Sequence, residues 1–427
     1  MHYVGLDIHQ RSTSVEILDC NGKLVKRGEW KLPWPQLADQ LKKDAPAPFA
    51  VCFEASCGYG FLYEQFAAVA QQVKAAHPGS LRLIYKSKRK NNRVDAGKLA
   101  RLLYLDAVPS VYVPGRETRL WRQTIEFRQT LLARLVTLKN QIRASLRERG
   151  IAAPRGLWTV KGTTWFKTQG ESDDAWALRR DLLIEELCEL KKKIKRVELQ
   201  LKSMSTPRPG VALLMTIPGI GPRTAEALAA YIDNANRFSS TRKAGSYFGW
   251  DPCQDASADK NRLGHITRDG PPTVRKLMVE AAWQGVRRSA TIKAFYERMT
   301  RNDPDRKKIA IVATAHYLTR VAVSMLKSGE TWREDPRVSA DKSEKDCRHE
   351  FTVDRQLEGP AARPARLPAG PLPRRAPPCP DGDGVWPLRL PDVNERGDPP
   401  AALRGEPPVQ QRKPQSKAPR PSTDSIH

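Results

Sequence analysis

The chain has 427 residues, enough for two or three domains with a substantial core. Its 73 Lys and Arg residues outnumber 47 Asp and Glu residues, which gives a formal net charge of +26. This surplus favours a polyanionic partner, DNA or RNA, over a generic positive surface. No apolar run approaches the roughly 18 residues of a membrane span, and no signal-peptide layout is present, so a cytoplasmic protein with reduced thiols is expected.

The first quarter of the chain alternates between strand and helix patterns. In order, the patterns predict strands at 3–9, 12–19 and 23–32, a helix near 35–43, a strand at 49–56, a helix over 60–76, a strand at 81–85 and a helix over 91–106. An Asn-Gly step predicts a hairpin turn between the second and third strands. Three antiparallel strands followed by alternating helix and strand indicate an RNase H-like α/β domain over residues 1–112.

The middle of the chain reads as helical and its end as unstructured. Segments 117–149 and 174–204 predict an antiparallel coiled-coil spacer within 113–205. The predicted seam residues of the second segment are Leu183, Glu186, Leu190, Ile194 and Leu199. A mostly helical C-terminal domain is expected over 206–330. The proline-rich remainder, 331–427, predicts a disordered tail, with a shifted reading frame or read-through as alternative origins.

Three acids stand where no local structure requires them. Asp7 lies inside an apolar strand, Glu54 ends another, and Asp95 lies in the first turns of a helix. A basic partner, a structural hydrogen bond or a metal ion could each compensate a carboxylate in an apolar strand. In an RNase H-like sheet, strands one and four are neighbours and a later helix crosses them, so the three acids would converge. Converging carboxylates favour cations, and two Mg²⁺ ions can hold a phosphodiester.

Each acid also has a purely structural interpretation. Glu54 could be a favourable charge at a helix N-terminus, and Asp95 a surface acid. His9, two residues after Asp7, could bind metal or be an ordinary strand histidine.

Several separate motifs, in order, resemble one family. "YVGLDIHQRSTSVEILDCNGKLV", "CFEASCGYG" and "NNRVDAGKLARLL" resemble the N-terminal domain of the DEDD-type insertion-sequence transposases, the family that includes the Piv invertases. That domain is similar to the RuvC Holliday-junction resolvase. "IPGIGPRTA" and "RLGHITRDGPPTVRKLMVEAAW" resemble the family's C-terminal domain. The resemblance covers about residues 1–325 and implies a RuvC-like fold.

The resemblance implies a set of metal ligands. Asp7, Glu54 and Asp95 match the family's first, second and fourth acids, and Asn92 stands at the third position. An Asn carbonyl can bind Mg²⁺, but with weaker attraction and no basicity. The implied site therefore holds Mg²⁺, two ions in the family's manner with Mn²⁺ as a substitute, on Asp7, Glu54, Asn92 and Asp95.

The resemblance also implies a catalytic serine in the C-terminal domain. The family places it in a Ser-Gly step shortly after Gly-x-x-Pro, and here Ser257 has that position with Ala258 in place of glycine. From the residues alone, Ser257 is an ordinary loop serine. A serine needs a base or a metal to lose its proton, and His265 is the one histidine nearby. The implied site is composite, with acids and serine from different domains or subunits.

Basic clusters and glycines predict the nucleic-acid contacts. "PGIGPRTA" (218–225) is a helix-hairpin-helix signature whose alternative is a plain tight turn. Other basic clusters lie at 190–196, 285–293 and 301–308. Trp250 and Trp283 could stack bases or pack in the core. The predicted nucleic-acid-binding residues are Lys86, Lys88, Arg89, Lys90, Arg93, Gly219, Gly221, Arg223, Lys260, Arg262 and Arg268.

The expected function is DNA strand cleavage and exchange for a mobile insertion sequence. The family implies DNA, a structured non-coding guide RNA and a homo-oligomer, dimer or tetramer, as partners, and a bacterial cytoplasmic location at the nucleoid. No membrane partner is expected. Two alternatives stay open: a degenerate copy that binds nucleic acid without cutting, suggested by Asn92 and Ala258, and a RuvC-like nuclease in which Ser257 is idle.

Overall fold

A computed structural model of the chain describes residues 1–84, 92–169, 174–257 and 260–336, without the side chains of residues 83, 92, 93, 256, 257, 260 and 261. The strands in this part are β1 His2–Ile8, β2 Thr13–Leu18, β3 Leu24–Trp30, β4 Phe49–Glu54, β5 Gln72–Ala76, β6 Pro252–Ser257 and β7 Lys260–Ile266. The helices are α1 Leu37–Asp44, α2 Tyr59–Ala67, α3 Pro78–Ile84, α4 Asn92–Tyr104, α5 Arg116–Glu148, α6 Val160–Lys167, α7 Asp174–Ser205, α8 Pro209–Leu214, α9 Pro222–Ile232, α10 Thr241–Tyr247, α11 Pro272–Arg288, α12 Ala290–Thr300 and α13 Lys307–Ser328.

The N-terminal part is a five-stranded sheet of order β3-β2-β1-β4-β5. β2 is antiparallel to β1 and β3, whereas β4 is parallel to β1 and β5. The predicted hairpin turn is confirmed: Gly22 has φ of +75°, and the Asp19 carboxylate accepts the backbone N–H groups of Asn21 and Lys23 at 2.8 Å each. The first and fourth strands are neighbours, as an RNase H-like sheet requires.

Two element predictions between β4 and α4 are wrong. The stretch read as one helix over 60–76 contains α2 and then β5, which pairs with β4. The stretch read as a strand at 81–85 lies in α3 as far as Ile84. Both errors concern short apolar runs, in which periodicity does not separate a buried strand from a buried helix.

The two faces of the sheet pack against different helices. Alternate residues such as Val4, Leu6 and Phe53 contact α1 and α2. The opposite face, which includes Cys52, packs under α4. Gly5 belongs to this second face, because a Cβ added to it would lie 2.1 Å from the Ala96 carbonyl oxygen of α4. The close approach of helix and sheet at this point therefore requires glycine.

Helices α5 and α7 pack side by side in opposite directions. Arg128 pairs with Glu198 at 2.6 Å, and Arg179 with Glu148 at 3.5 Å, so residues ascending in one helix meet residues descending in the other. The apolar seam of α7 differs from the predicted one: Glu186 and Leu199 are exposed and Leu183 is half-buried. The buried residues are Ile184, Leu187, Leu190, Ile194 and Leu201.

Helices α8 to α13 surround a second large core, which also takes in Trp121 and Ile125 from the start of α5 and Leu201 from the end of α7. The buried Trp250 belongs to this core, which agrees with the core-packing alternative for this residue. Trp283 is 39% exposed and contacts Tyr296. Beyond α13, the Trp332 N–H donates to Thr216 Oγ1 at 3.0 Å, so the chain still contacts this domain after residue 331. The rest of the predicted tail lies outside the described residues.

One helix in the described part is long and apolar enough to cross a membrane. It spans Pro304–Ser328, and its most apolar window has a mean hydropathy of 1.5. Half of that window is buried inside the protein, where Leu318 and Ala322 belong to the helical core. The burial accounts for the apolar character of this helix.

Candidate active site

The three predicted acids lie on one face of the sheet, at one edge. Side chains alternate along a strand, so Asp7 follows Gly5 on the α4 face, and Glu54 follows Cys52 on the same face. β1 and β4 are parallel with Leu6 opposite Phe53, which makes Asp7 and Glu54 the next residues at the carboxyl ends of two neighbouring strands. Asp95 enters this face from the first turn of α4.

Asp7 is the electrostatically strained member of the group. Its side chain is 14% exposed, and burial raises the pKa of its carboxyl above the ordinary value. His9, whose Nε2 lies 3.2 Å from Asp7 Oδ2, lowers that pKa, and the carboxylate of Asp95 raises it. The electrostatic repulsion shows that the fold holds Asp7 and Asp95 near one another. His9 is therefore a half-exposed partner of Asp7 in this structure.

On α4, Asp95 faces a lysine and is aligned with Asn92. The Lys98 Nζ donates to Asp95 Oδ1 at 2.8 Å, one turn along the helix. Asn92 is the first residue of α4 and lies three positions before Asp95, which places both on one side of the helix.

Glu16, which the sequence interpretation overlooked, is a fourth acid on the same face. It sits in β2 opposite Gly5, is 3% exposed, and has its carboxylate against Gly97 of α4. Arg27 satisfies it, with Nε and Nη2 at 2.7 and 2.6 Å from Oε2. The sequence signal that could have identified Glu16 is the same one that marks Asp7, namely an acid in an apolar strand. Glu16 has an arginine partner, so its role is structural.

The oxygen atoms of the candidate ligands are suited to a hard cation, although the described side chains do not surround a metal position. All the candidate ligands offer oxygen, which Mg²⁺ prefers, and a cation between Asp7 and Asp95 would relieve their repulsion. Among the described side chains, no three or more His, Cys, Asp or Glu residues form a group that could hold a metal ion. His9 and Lys98 each contact one of the acids, and Asn92 is not described beyond its backbone.

Ser257 lies at the end of a projecting hairpin rather than in a loop. It is the last residue of β6 and pairs with Lys260, the first residue of β7. The described side chains of the ribbon from Pro252 to Asp255 and from Arg262 to His265 are all exposed. Two strands alone are marginally stable, so the ribbon depends on its root or on a partner.

The root of this ribbon is tightly built. Arg275 of α11 donates to the carbonyl oxygens of Phe248 and Gly270 at 3.0 and 3.1 Å, and also to that of Asp269. A Cβ on Gly249, where φ is +69°, would lie 2.1 Å from the Asp269 carbonyl oxygen. The two strands of the ribbon are therefore fixed where they leave the helical core, and their described side chains further out are exposed.

His265 is poorly placed as a base for Ser257. It lies five residues along β7 from Lys260, the pairing partner of Ser257. At about 3.4 Å per residue this separation is about 17 Å. No contact between the ribbon and the acids is found among the described residues.

Gly219 and Arg223 of the helix-hairpin-helix signature have internal roles. A Cβ on Gly219, where φ is +95°, would lie 2.5 Å from the Ala281 carbonyl oxygen of α11. Arg223 pairs with the buried Glu226 at 2.7 Å. Both contacts favour the tight-turn alternative for these residues. Gly221, at the N-cap of α9, has open space around it.

The other predicted nucleic-acid contacts divide between the ribbon and the region before α4. Arg262 and Arg268 are exposed on or just after β7, and Lys260 begins that strand. Arg93 lies in the first turn of α4, and its side chain is not described. Lys86, Lys88, Arg89 and Lys90 lie outside the described residues.

Two family models match the chain, and together they span more than half of it. Residues 4–150 match a transposase model of the DEDD IS110 type. Residues 211–297 match the model described as the transposase IS116/IS110/IS902 family. The first match contains the sheet with Asp7, Glu54 and Asp95, and the second contains the Ser257 ribbon.

Curated relatives are similar over most of their own length. The transposase for insertion sequence element IS1328 of Yersinia enterocolitica is 25% identical over 279 residues, covering 65% of this chain and 82% of that protein. A probable family 20 transposase of Pseudomonas aeruginosa is 25% identical over 347 residues, covering 77% and 98%. The transposase for insertion sequence element IS1111A of Coxiella burnetii is 25% identical over 294 residues, covering 66% and 79%.

Proposed function

The chain belongs to the IS110/IS116 family of DEDD transposases, whose function implies DNA cleavage and transposition, and from that premise we propose a two-part mechanism for it. Asp7, Glu54, Asn92 and Asp95 hold Mg²⁺ on the RNase H-like sheet, and Ser257 supplies the nucleophile that attacks the DNA strand. The observation that carries the proposal is the placement of Asp7, Glu54 and Asp95 on one sheet face, where burial and Asp95 raise the pKa of Asp7.

The acids form the metal-dependent half of the site. Mg²⁺ supplies charge stabilisation at the scissile phosphate when it is bound. Asp7 and Glu54 lie at the carboxyl ends of two paired strands, and Asp95 is positioned by the packing of α4 against Gly5. The Lys98 Nζ donates to Asp95 Oδ1 and so restrains the orientation of that carboxylate. Asn92 contributes a neutral oxygen where an acid would add a full charge.

The ribbon forms the nucleophilic half. Ser257 lies at its tip, about 17 Å from His265, so no histidine of the ribbon is placed to remove its proton. We expect the metal-bearing acids of this chain or of another copy to complete the site when DNA is bound. Arg262, Arg268 and Lys260 line the same ribbon, where they can contact phosphates on either side of the cleaved bond.

The partners follow from charge and from the family. DNA is the substrate, a structured non-coding RNA of the same element is the guide, and the working unit is a dimer or tetramer in the bacterial cytoplasm. The net charge of +26 supports two polyanionic partners.

Excision from a plasmid tests the function as a whole. The plasmid would carry the gene with its own flanking DNA, and the product would be the rejoined donor junction and the excised circle, detected by amplification across each. Loss of both products in Asp7→Asn and Ser257→Ala is the expected result. Excision that persists in Ser257→Ala but not in Asp7→Asn would instead favour a RuvC-like nuclease without a serine step. Absence of excision in the unaltered protein, with binding intact, would favour the degenerate copy.

A further inference from the structure

Positive charge is concentrated in the far half of the helical hairpin. Between residues 134 and 167 the sequence has eight Lys and Arg residues and one acid, Glu148. α7, the opposing helix, has eight basic and six acidic residues and is therefore nearly balanced. This half of the hairpin lies away from the C-terminal core, which contains the opposite ends of the two helices through Trp121 and Leu201. The charge therefore belongs to a local surface.

Three of these cations form a stripe along α5. Lys139, Arg143 and Arg147 follow one another at intervals of four residues and so lie on one side of the helix. Arg143 and Arg147 are exposed. In the described part of the chain, no carboxylate lies within ion-pair distance of any of the three. Like charges at this spacing destabilise a helix, and no carboxylate of the described residues offsets that repulsion.

Trp158 holds two of the cations in place. The Lys139 Nζ and the Arg143 Cζ each lie 5.2 Å from the centroid of its ring. The ring is half-buried and packs on the apolar seam between α5 and α7. A cation within about 6 Å of the centroid of an aromatic ring is attracted to the face of that ring. This attraction keeps both charged groups together at the surface, where repulsion would otherwise separate them.

We propose that Lys139, Arg143, Arg147 and Trp158, the distal basic surface, bind the phosphodiester backbone of a nucleic acid at a place separate from the acids and the ribbon. Phosphate oxygens would supply the negative partners that the three cations lack among the described residues. The stripe is about 12 Å long at 1.5 Å per residue, which matches three to four phosphates along one strand. Because the cations occupy the Trp158 ring, bases do not stack there, and binding is independent of sequence. The proposal rests on the proposed function for the class of partner.

Binding titrations with matched variants test the surface. The probes are a labelled random-sequence DNA duplex and a labelled RNA hairpin, each measured with the full chain from 50 to 300 mM salt. The test variant carries Lys139→Gln, Arg143→Gln and Arg147→Gln. The control carries Lys31→Gln, Lys43→Gln and Lys202→Gln, three exposed residues outside the basic clusters, and so has the same net charge. A third variant, Arg143→Lys with Arg147→Lys, keeps the charge. Thermal melts establish that each variant folds.

The expected result is a loss in the test variant that the control does not show. The slope of log affinity against log salt should fall by about two to three, since each lost phosphate contact removes about one. The charge-keeping variant should bind within about threefold of the unaltered protein. A loss for RNA alone, DNA alone or both supports the surface and assigns its source. Two results would overturn the proposed surface: an equal loss of affinity in the control variant, or no loss for either probe in the test variant. The second result overturns it even if an acidic peptide competes for the surface.

The outcome is separable from that of the proposed function. If the unaltered protein excises the element while the test variant binds both probes normally, the proposal of the distal basic surface is wrong and the transposase mechanism stands. If excision is absent in the unaltered protein while binding depends on the stripe, the mechanism is wrong and the surface stands.

Discussion

The sheet edge that holds the acids and the ribbon that holds Ser257 are built in opposite ways. Asp7 and Glu54 lie at the carboxyl ends of buried strands, under a helix that packs directly against Gly5. Ser257 ends an exposed two-stranded ribbon whose root is fixed by Arg275, which donates to three carbonyl oxygens. In the proposed mechanism Asp7 and Glu54, which must keep a fixed distance from one another, are on packed strands, whereas Ser257, which must reach DNA or another subunit, is on a projection. We therefore expect metal binding to depend on the packing of the sheet, and the action of Ser257 to depend on its partner.

The largest expected effect is the loss of cleavage in Asp7→Asn. Strand cleavage measured on DNA with the element ends should fall by about a thousandfold or more, because a metal-binding charge is lost. The fold should not suffer: burial and Asp95 already raise the pKa of the Asp7 carboxyl, so a neutral side chain relieves a strained charge. The melting temperature in the absence of metal is expected to stay or rise. A clear fall in melting temperature would mean that Asp7 is structural.

Ser257→Ala should abolish a covalent protein–DNA species while the sheet keeps its metal. The adduct is measured by denaturing electrophoresis after incubation with DNA and Mg²⁺, and metal binding by titration calorimetry. Because the ribbon and the acids share no described contact, the affinity for metal should change by less than about twofold. An adduct that survives in the variant would move the nucleophile to another residue.

Asn92→Asp should strengthen metal binding by about five- to a thousandfold. One unit charge at about 4 Å is worth about 1 kcal/mol in water and about 4 kcal/mol at an effective dielectric constant of 20. Cleavage rate against Mg²⁺ concentration, at fixed salt, gives the shift, and saturating Mn²⁺ should narrow it. Asn92→Ala is the matched control. If the curves of cleavage rate against Mg²⁺ concentration superimpose for the unaltered protein and Asn92→Asp, Asn92 is not a metal ligand of the site.

Gly5→Ala tests whether helix packing positions the acids. The added methyl group would meet the Ala96 carbonyl oxygen at 2.1 Å, so α4 must shift, at a cost of about 1–3 kcal/mol in unfolding free energy. Metal affinity should weaken together with stability. Gly28→Ala on β3, where an added Cβ would meet Val15 Cγ1 at 3.9 Å in ordinary van der Waals contact, is the control and should change neither by much. A Gly5→Ala protein that binds metal normally would show that Asp95 does not depend on this contact.

The smallest expected effect is a pH dependence at the ribbon root. Burial lowers the pKa of His316 below its usual 6.5, Asp251 opposes this change, and Arg320 adds to it. A depressed histidine contributes stability above the unfolded pKa of 6.5 and loses it as the pH falls toward the folded pKa. The C-terminal domain should therefore lose stability between pH 7 and 5, and lose more of it than the His316→Gln variant does. Urea melts at several pH values measure the difference, and equal slopes in both proteins would contradict it.

The sequence predicted the parts of the fold whose patterns are long or carry specific turn chemistry. The Asn-Gly hairpin before Lys23, the order of the first four strands and the two long helices all follow from local spacing. It failed at 72–76 and 81–84, where a few apolar residues are compatible with either periodicity. It also assigned exposed Leu199 to the seam of α7, because the position of a seam depends on which face meets α5.

Residue types and positions of the candidate acids were readable from the sequence, since an acid in an apolar strand is costly wherever it lies. That signal alone marks Asp7 and Glu16 equally. Only the tertiary structure separates them: Arg27, from the neighbouring strand, satisfies Glu16, whereas Asp7 faces His9 and the repelling Asp95. Likewise, the glycines of the helix-hairpin-helix signature are visible in the sequence, but the packing of Gly219 against α11 is not. Charge and periodicity are local properties of a chain, whereas compensation of a charge depends on residues that folding brings together.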